Sequence, residues 1–222
     1  MSRLSAKVLL LLTAMSGIAS SACQSGGVGD PCIPEDEYNA NFSGYSETEV
    51  NVESRSFQCE TRVCLVANFR GRVSCPFGQK AATMPDSTGK ILADPNLAPD
   101  DRCYFPGTKE AQANQIAVPV DSQLVARSPD KAVYCSCRCD GPDKNAQYCD
   151  CPSGYSCQKL IDAYGTSGGA QLAGSYCIKD GTEVQDPTQL TNTTRCSDLP
   201  PAQATLPPPK GCGPKHPAGL VP

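Results

Sequence analysis

The chain has 222 residues, including 15 cysteines, 20 prolines, 19 glycines, one histidine and no tryptophan, and its 19 Lys+Arg against 23 Asp+Glu leave a net charge of −4. No basic run offers nucleic acid an electrostatic footprint, and no apolar stretch beyond residue 22 is long enough to span a bilayer. The 200 residues after position 22 hold only 32 Leu, Ile, Val and Phe, or 16%, so cross-links must supply stability that a small apolar core cannot.

Residues 1–22 read as a secretory signal peptide: Arg3 and Lys7 precede an apolar run from Val8 to Ala19, and Ser20-Ser21-Ala22 supplies small residues before Cys23. A cysteine directly after such a leader resembles the lipidated cysteine of bacterial lipoproteins, although Ser20 stands where those leaders carry a bulky aliphatic residue. Parity agrees with lipidation, because removing Cys23 leaves fourteen cysteines for seven bridges. Residues 23–31 read as a flexible, glycine-rich tether. Gln24, in place of the Asp common in proteins kept at the inner membrane, points to the outer membrane. A soluble periplasmic or secreted chain is the alternative.

Cysteine spacing divides the remainder. Residues 32–80 hold Cys32, Cys59, Cys64 and Cys75; the Pro/Gly-rich connection 81–131 holds Cys103; residues 132–199 hold Cys135, Cys137, Cys139, Cys149, Cys151, Cys157, Cys177 and Cys196; and the Pro-rich tail 200–222 holds Cys212. Both clusters are even, so each can close internally while Cys103 and Cys212 join each other or enter a cluster; connectivity is not fixed by spacing. In the first cluster, 49–53 alternates as a strand. Residues 62–69 put Val63, Leu65 and Phe69 on one face and Cys64 and Val66 on the other, and the Arg70-Gly71 turn returns the chain through 72–75 as a hairpin.

Residues 84–99, with Pro85, Gly89, Pro95 and Pro99, read as a loop unless Ile91 and Leu92 pin it. In the second cluster, Val133, Cys135, Cys137 and Cys139 share one face of an extended segment, broken at Asp140-Gly141-Pro142-Asp143. Cys157, Leu160, Ile161 and Tyr164 follow a helical period, with Ser153 as cap and Gly165 as stop. Lys179-Asp180-Gly181 signals a hairpin between 176–178 and 182–184. Prolines dominate from residue 200 and impose polyproline or irregular structure. The expected fold is small, disulfide-rich, loop-rich and mainly β, with short hairpins and one or two short helices.

Catalytic parts are scarce. His216 sits in the tail beside Pro214 and Pro217, and metalloprotease, haem-attachment, dinucleotide and phosphate-loop motifs are all missing. No catalytic residue, metal ligand or cofactor is assigned. The Cys135-Ser-Cys137-Arg-Cys139 run with Cys149-Asp-Cys151 could gather thiolates on a metal in a reducing compartment, but export favours disulfides. Glu35-Asp36-Glu37 and the group Asp140, Asp143 and Asn145 offer oxygens for calcium without an EF-hand spacing, and solvated acidic turns are the simpler reading. Besides His216, the foremost general-base candidates are Glu35, Asp36, Glu37, Asp140 and Asp143.

Cys149-Asp-Cys151-Pro-Ser-Gly154-Tyr155-Ser-Cys157 resembles the closing half of an EGF-like module, with five residues between the last two cysteines where that family has eight. More of the chain, from Val28 to about Thr182, resembles cysteine-rich exported proteins of myxobacteria and related bacteria. The matching phrases are Gly29-Asp-Pro-Cys-Ile-Pro-Glu-Asp-Glu-Tyr38, Phe57-Gln-Cys-Glu-Thr-Arg-Val-Cys-Leu65, Gly71-Arg-Val-Ser-Cys75, Cys135-Ser-Cys-Arg-Cys-Asp-Gly-Pro142 and Gly174-Ser-Tyr-Cys-Ile-Lys-Asp-Gly181. That resemblance implies export and disulfides and no activity. The functional expectation is a lipid-anchored surface module, structural or binding an unknown protein or glycan, without catalysis. A thiolate metal-binding protein and a carboxylate-dependent extracellular hydrolase are the alternatives.

Overall fold

The computed structural model describes residues 27–79, 84–85, 91–92, 102–108, 114–116, 118–162, 171–199 and 212–213. It is a disulfide-rich, mainly β fold whose two larger sheets are both three-stranded and antiparallel. In the first, β2 (Val63–Ala67) lies between β1 (Val50–Glu53) and β5 (Val133–Ser136), with Val52 opposite Leu65 and Leu65 opposite Tyr134. Central position explains why β2 is apolar on both faces. Cys64 and Val66 pack with Cys32, Val133 and Cys135, while Leu65 and Ala67 pack with Val52 and Tyr134.

The second sheet orders β6 (Arg138–Asp140), β8 (Gly174–Lys179) and β7 (Tyr155–Ile161). β5 and β6 are separated only by Cys137, so the chain steps from one sheet to the other at that residue. Tyr176 and Ile178 join Leu65 and Tyr134 in one apolar cluster, and the Tyr134 and Tyr155 rings meet edge-on at 5.8 Å. The Tyr134 hydroxyl also accepts the Lys179 amide at 3.0 Å. A short helix, α1 (Pro129–Ala132), leads into β5 with Pro129 in its first turn.

The described parts of the connecting region at 102–108, 114–116 and 118–120 pack around a side chain. Gln79 is fully buried, donates to the carbonyls of Ile116 and Val118 at 3.1 and 2.9 Å, and accepts the Cys103 amide at 2.8 Å. Cys75, Cys103, Ile116 and Val120 form the apolar cluster beside it. Ile91 and Leu92 do form a strand, β4, paired with β3 (Met84–Pro85). No helix among the described residues is long and apolar enough to cross a membrane.

Five local expectations are corrected. The 62–69 strand does not return through 72–75: β2 pairs instead with β1 and β5, and Gly71 bridges Tyr45. Phe69 lies in the Cys64 and Val66 cluster, because Asn68 adopts φ 53° and breaks the alternation. The 153–164 segment is not helical where described but forms β7, in which a register shift between Lys159 and Ile161 lets Leu160 and Ile161 both reach the Tyr134 cluster. The Asp180-Gly181 turn forms, with Gly181 at φ 76°, yet 182–184 is not a strand, since β6 and β7 already flank β8. Residues 27–31 are held by the fold where a flexible tether is expected, because the Asp30 carboxylate accepts the Gly27 amide and the Gly29 amide donates to Cys135 O, both at 2.8 Å, while 23–26 lie outside the described residues. Apart from Cys212 and Gly213, the polyproline reading of 200–222 lies outside the described residues.

All fourteen cysteines from Cys32 to Cys212 are paired: Cys32–Cys64, Cys59–Cys135, Cys75–Cys103, Cys137–Cys149, Cys139–Cys157, Cys151–Cys177 and Cys196–Cys212. The clusters are therefore not closed internally. Cys59–Cys135 joins the two, Cys103 enters the first and Cys212 the second.

Candidate functional site

The acidic run Glu35-Asp36-Glu37 folds as one 3-10 turn, and its carboxylates diverge. Glu37 is completely buried and accepts the amides of Val73 and Ser74. Burial raises its pKa, outweighing the bonds from Ser74 and Val73 and the positive charge of Arg72. Asp36 accepts the Tyr45 hydroxyl at 3.1 Å, and that phenol is pushed up first by burial and then by Asp36 and Glu37. Glu35 is exposed. A solvated turn thus describes Glu35 and Asp36 but not Glu37.

Arg72 explains the buried carboxylate's surroundings. Its guanidinium, fully buried, donates to the carbonyls of Glu37 and Phe42, the latter at 2.8 Å, and lies 5.6 Å from the Phe42 ring centre. Gln123 in turn donates to Arg72 O at 2.6 Å. The positive group fastens the 37–42 loop and takes no part in an exposed site.

Asp140 and Asp143 close local turns: they accept the Gly141 amide at 2.8 Å and the Asn145 amide at 2.9 Å, and Lys144 lies 3.9 Å from Asp140. Three sulfur groups lie within metal-ligand reach, namely Cys32, Cys59 and Cys135; Cys137, Cys149 and Cys177; and Cys139, Cys151 and Cys177. Every one of these sulfurs is in a disulfide, and only a thiolate is the strong ligand such a centre needs. Cys23 and His216 lie outside the described residues.

Two clefts remain. One, of about 610 Å³, is lined by Tyr45, Glu47, Phe77, Asp121, Arg195 and several serines. Its carboxylates are engaged: Arg70 donates to Glu47 and to Asp121, each at 2.9 Å, tying segments 51 residues apart. The other, of about 790 Å³, is lined by Ile33, Glu35, Tyr38, Glu53, Arg55, Phe57 and Arg62, among others.

This second cleft carries the only large apolar side chains counted as exposed among the described residues, Phe57 at 84% and Tyr38 at 42%. The Arg62 guanidinium sits 4.8 Å from the Phe57 ring centre. Glu53, half-buried, accepts the Glu35 amide at 3.0 Å; burial raises its pKa, followed by the nearby charges of Glu35 and Asp36. Sequence reasoning missed Phe57, Arg62 and Glu53. An aromatic outside any alternating run, among Ser54, Arg55 and Ser56, was the signal available for Phe57.

No family model, curated protein or solved structure matches the chain.

Proposed function

We propose that the chain is an exported, lipid-anchored, disulfide-stapled surface module that binds or scaffolds and performs no catalysis. The observation that carries this reading is the cysteine pairing. Seven disulfides use every cysteine but Cys23, the one that follows the leader-like segment. Such dense cross-linking suits an oxidising, extracytoplasmic setting, and the resemblance to exported myxobacterial proteins agrees with it. Gln24 supports the outer membrane as the destination.

The body would ride close to the bilayer. Three residues separate Cys23 from Gly27, the first held residue, and these four residue steps span at most about 14 Å. Cys23→Ser should move the protein from the membrane to the soluble fraction, with the acyl mass lost from the intact protein. Unchanged fractionation, or an exported chain with a free Cys23 thiol, would rule the anchor out.

One observation favours a hydrolase instead: Glu53, a carboxyl of raised pKa, faces a cleft beside Glu35. A peptide, ester or glycan hydrolysis that vanished in Glu53→Gln would replace the non-catalytic reading.

A further inference from the structure

The loop 54–62 presents Phe57 from a rigid frame. Ser56 N donates to Arg62 O, and Arg62 N donates to Cys59 O, both at 3.0 Å. The loop is tied to β5 by Cys59–Cys135 and by a bond from the Thr61 hydroxyl to Ser136 O. Gln58 makes a two-way bond with the Ile33 backbone, at 2.9 and 2.7 Å. Arg62 holds φ 65°, a conformation unusual for a residue with a side chain, and its guanidinium lies over the Phe57 ring. The loop that carries this exposed aromatic is therefore held in place before any partner arrives, which lowers the entropy lost on contact.

Two acidic and two basic side chains line the same cleft as this platform. Glu35 and Glu53 adjoin one another through the Glu35 amide, while Arg62 covers Phe57 and Arg55 lines the same cleft. None of the four forms an ion pair among the described residues, so acidic and basic members share a cleft yet stay beyond ion-pair distance. A cleft that holds acidic and basic side chains, unpaired with one another, beside an exposed aromatic can complement itself. In a two-fold pair the arginines of one copy would meet the glutamates of the other beside the two Phe57 rings. Aromatic residues and arginine are also the types that concentrate binding energy at interface centres. The balanced charge spares this face the mutual repulsion of chains that are negative overall.

We infer that the Phe57 cleft is a self-association surface whose partner is the same cleft of a second copy of this chain. The inference does not depend on the anchor. It is tested on the full exported chain carrying Cys23→Ser, so that neither an acyl chain nor a Cys23 disulfide can hold two copies together. Sedimentation and light scattering should show a reversible dimer forming by about 100 µM, as expected of a contact at the small end of specific interfaces.

Phe57→Ser, at a surface position, should raise the dimer dissociation constant at least about tenfold. Two charge variants supply the decisive arm. Arg55→Glu with Arg62→Glu makes the cleft acidic, whereas Glu35→Lys with Glu53→Gln makes it basic and keeps an oxygen for the Glu35 amide. Each variant should be monomeric alone, and an equimolar mixture should dimerise at low salt. A chain monomeric throughout this range, a dimer indifferent to Phe57→Ser, or a mixture that stays monomeric would each overturn the inference. A dimer that survived Phe57→Ser would place the contact on another face.

Discussion

Cys64 and Cys135 stand directly opposite each other on β2 and β5, yet each is bonded elsewhere, Cys64 to Cys32 and Cys135 to Cys59. Two staples thus cross one sheet position. The first fastens the chain's entry segment to the central strand. The second fastens the Phe57 loop to the edge strand β5, across 76 residues of sequence. Digestion without reduction should yield a peptide joining Cys59 to Cys135 and none joining Cys64 to Cys135. Replacing Cys59 and Cys135 together by Ala should cost about 2–5 kcal/mol in denaturant unfolding. Replacing Cys137 and Cys149, which close a separation of only 12 residues, should cost less on loop entropy alone.

How much of this was legible varies with the distance over which each feature is decided. Alternation along Val63, Cys64, Leu65 and Val66 marked β2, because that pattern is local. Its partners were not legible: β5 lies some seventy residues on, and the local Arg70-Gly71 turn signal argued for a nearer one. The left-handed Asn68 and the register shift in β7 moved Phe69, Leu160 and Ile161 across faces, and neither irregularity leaves a periodic trace. The fold class and the use of the cysteines as staples followed from composition. The pairing did not, because it depends on which strands the sheets bring side by side. Phe57 became visible as part of a cleft only once Ile33 and Gln58 were joined.

Glu37 gives the fold a pH dependence of definite sign. Its folded pKa lies above the ordinary 4.5, so between the two values the native state holds more protons than the unfolded chain. Stability from this group is therefore greatest below the unfolded pKa and declines as pH rises through the folded one. Glu37→Gln removes the titration and keeps one oxygen acceptor, for the Val73 or the Ser74 amide but not for both. Thermal unfolding from pH 4 to pH 8 should show wild type losing stability relative to Glu37→Gln as pH increases. A constant gap, or one that moves in wild type's favour, would contradict a buried carboxyl of raised pKa.

Gly71 and Gly181 separate conformational strain from collision. Both have positive φ, 80° and 76°, but a Cβ on Gly71 would lie 2.2 Å from Asp121 O, whereas one on Gly181 meets nothing within 4 Å. Gly181→Ala should cost about 1–2 kcal/mol, the strain of a left-handed backbone. Gly71→Ala should cost clearly more, since the Tyr45 bridge and the loop at Asp121 must also shift. Equal losses in urea unfolding would show that the loop at Asp121 yields without resistance.

Staples and ligands predict different thiol chemistry. If the fourteen cysteines from Cys32 to Cys212 are all in disulfides, iodoacetamide applied to protein unfolded without reductant can reach at most Cys23. Intact mass should then show no alkylation when Cys23 carries a lipid and one adduct when it does not. The sulfur groups centred on Cys135 and Cys177 would give a different answer if they held zinc or copper as thiolates. Unfolding would release the metal and expose several alkylatable sulfurs, with a matching stoichiometry of ion. Three or more adducts accompanied by bound metal would displace the disulfide scaffold by a thiolate centre. Zero or one, with the metal absent, keeps Cys137, Cys139, Cys149, Cys151 and Cys177 as the covalent frame of the second sheet.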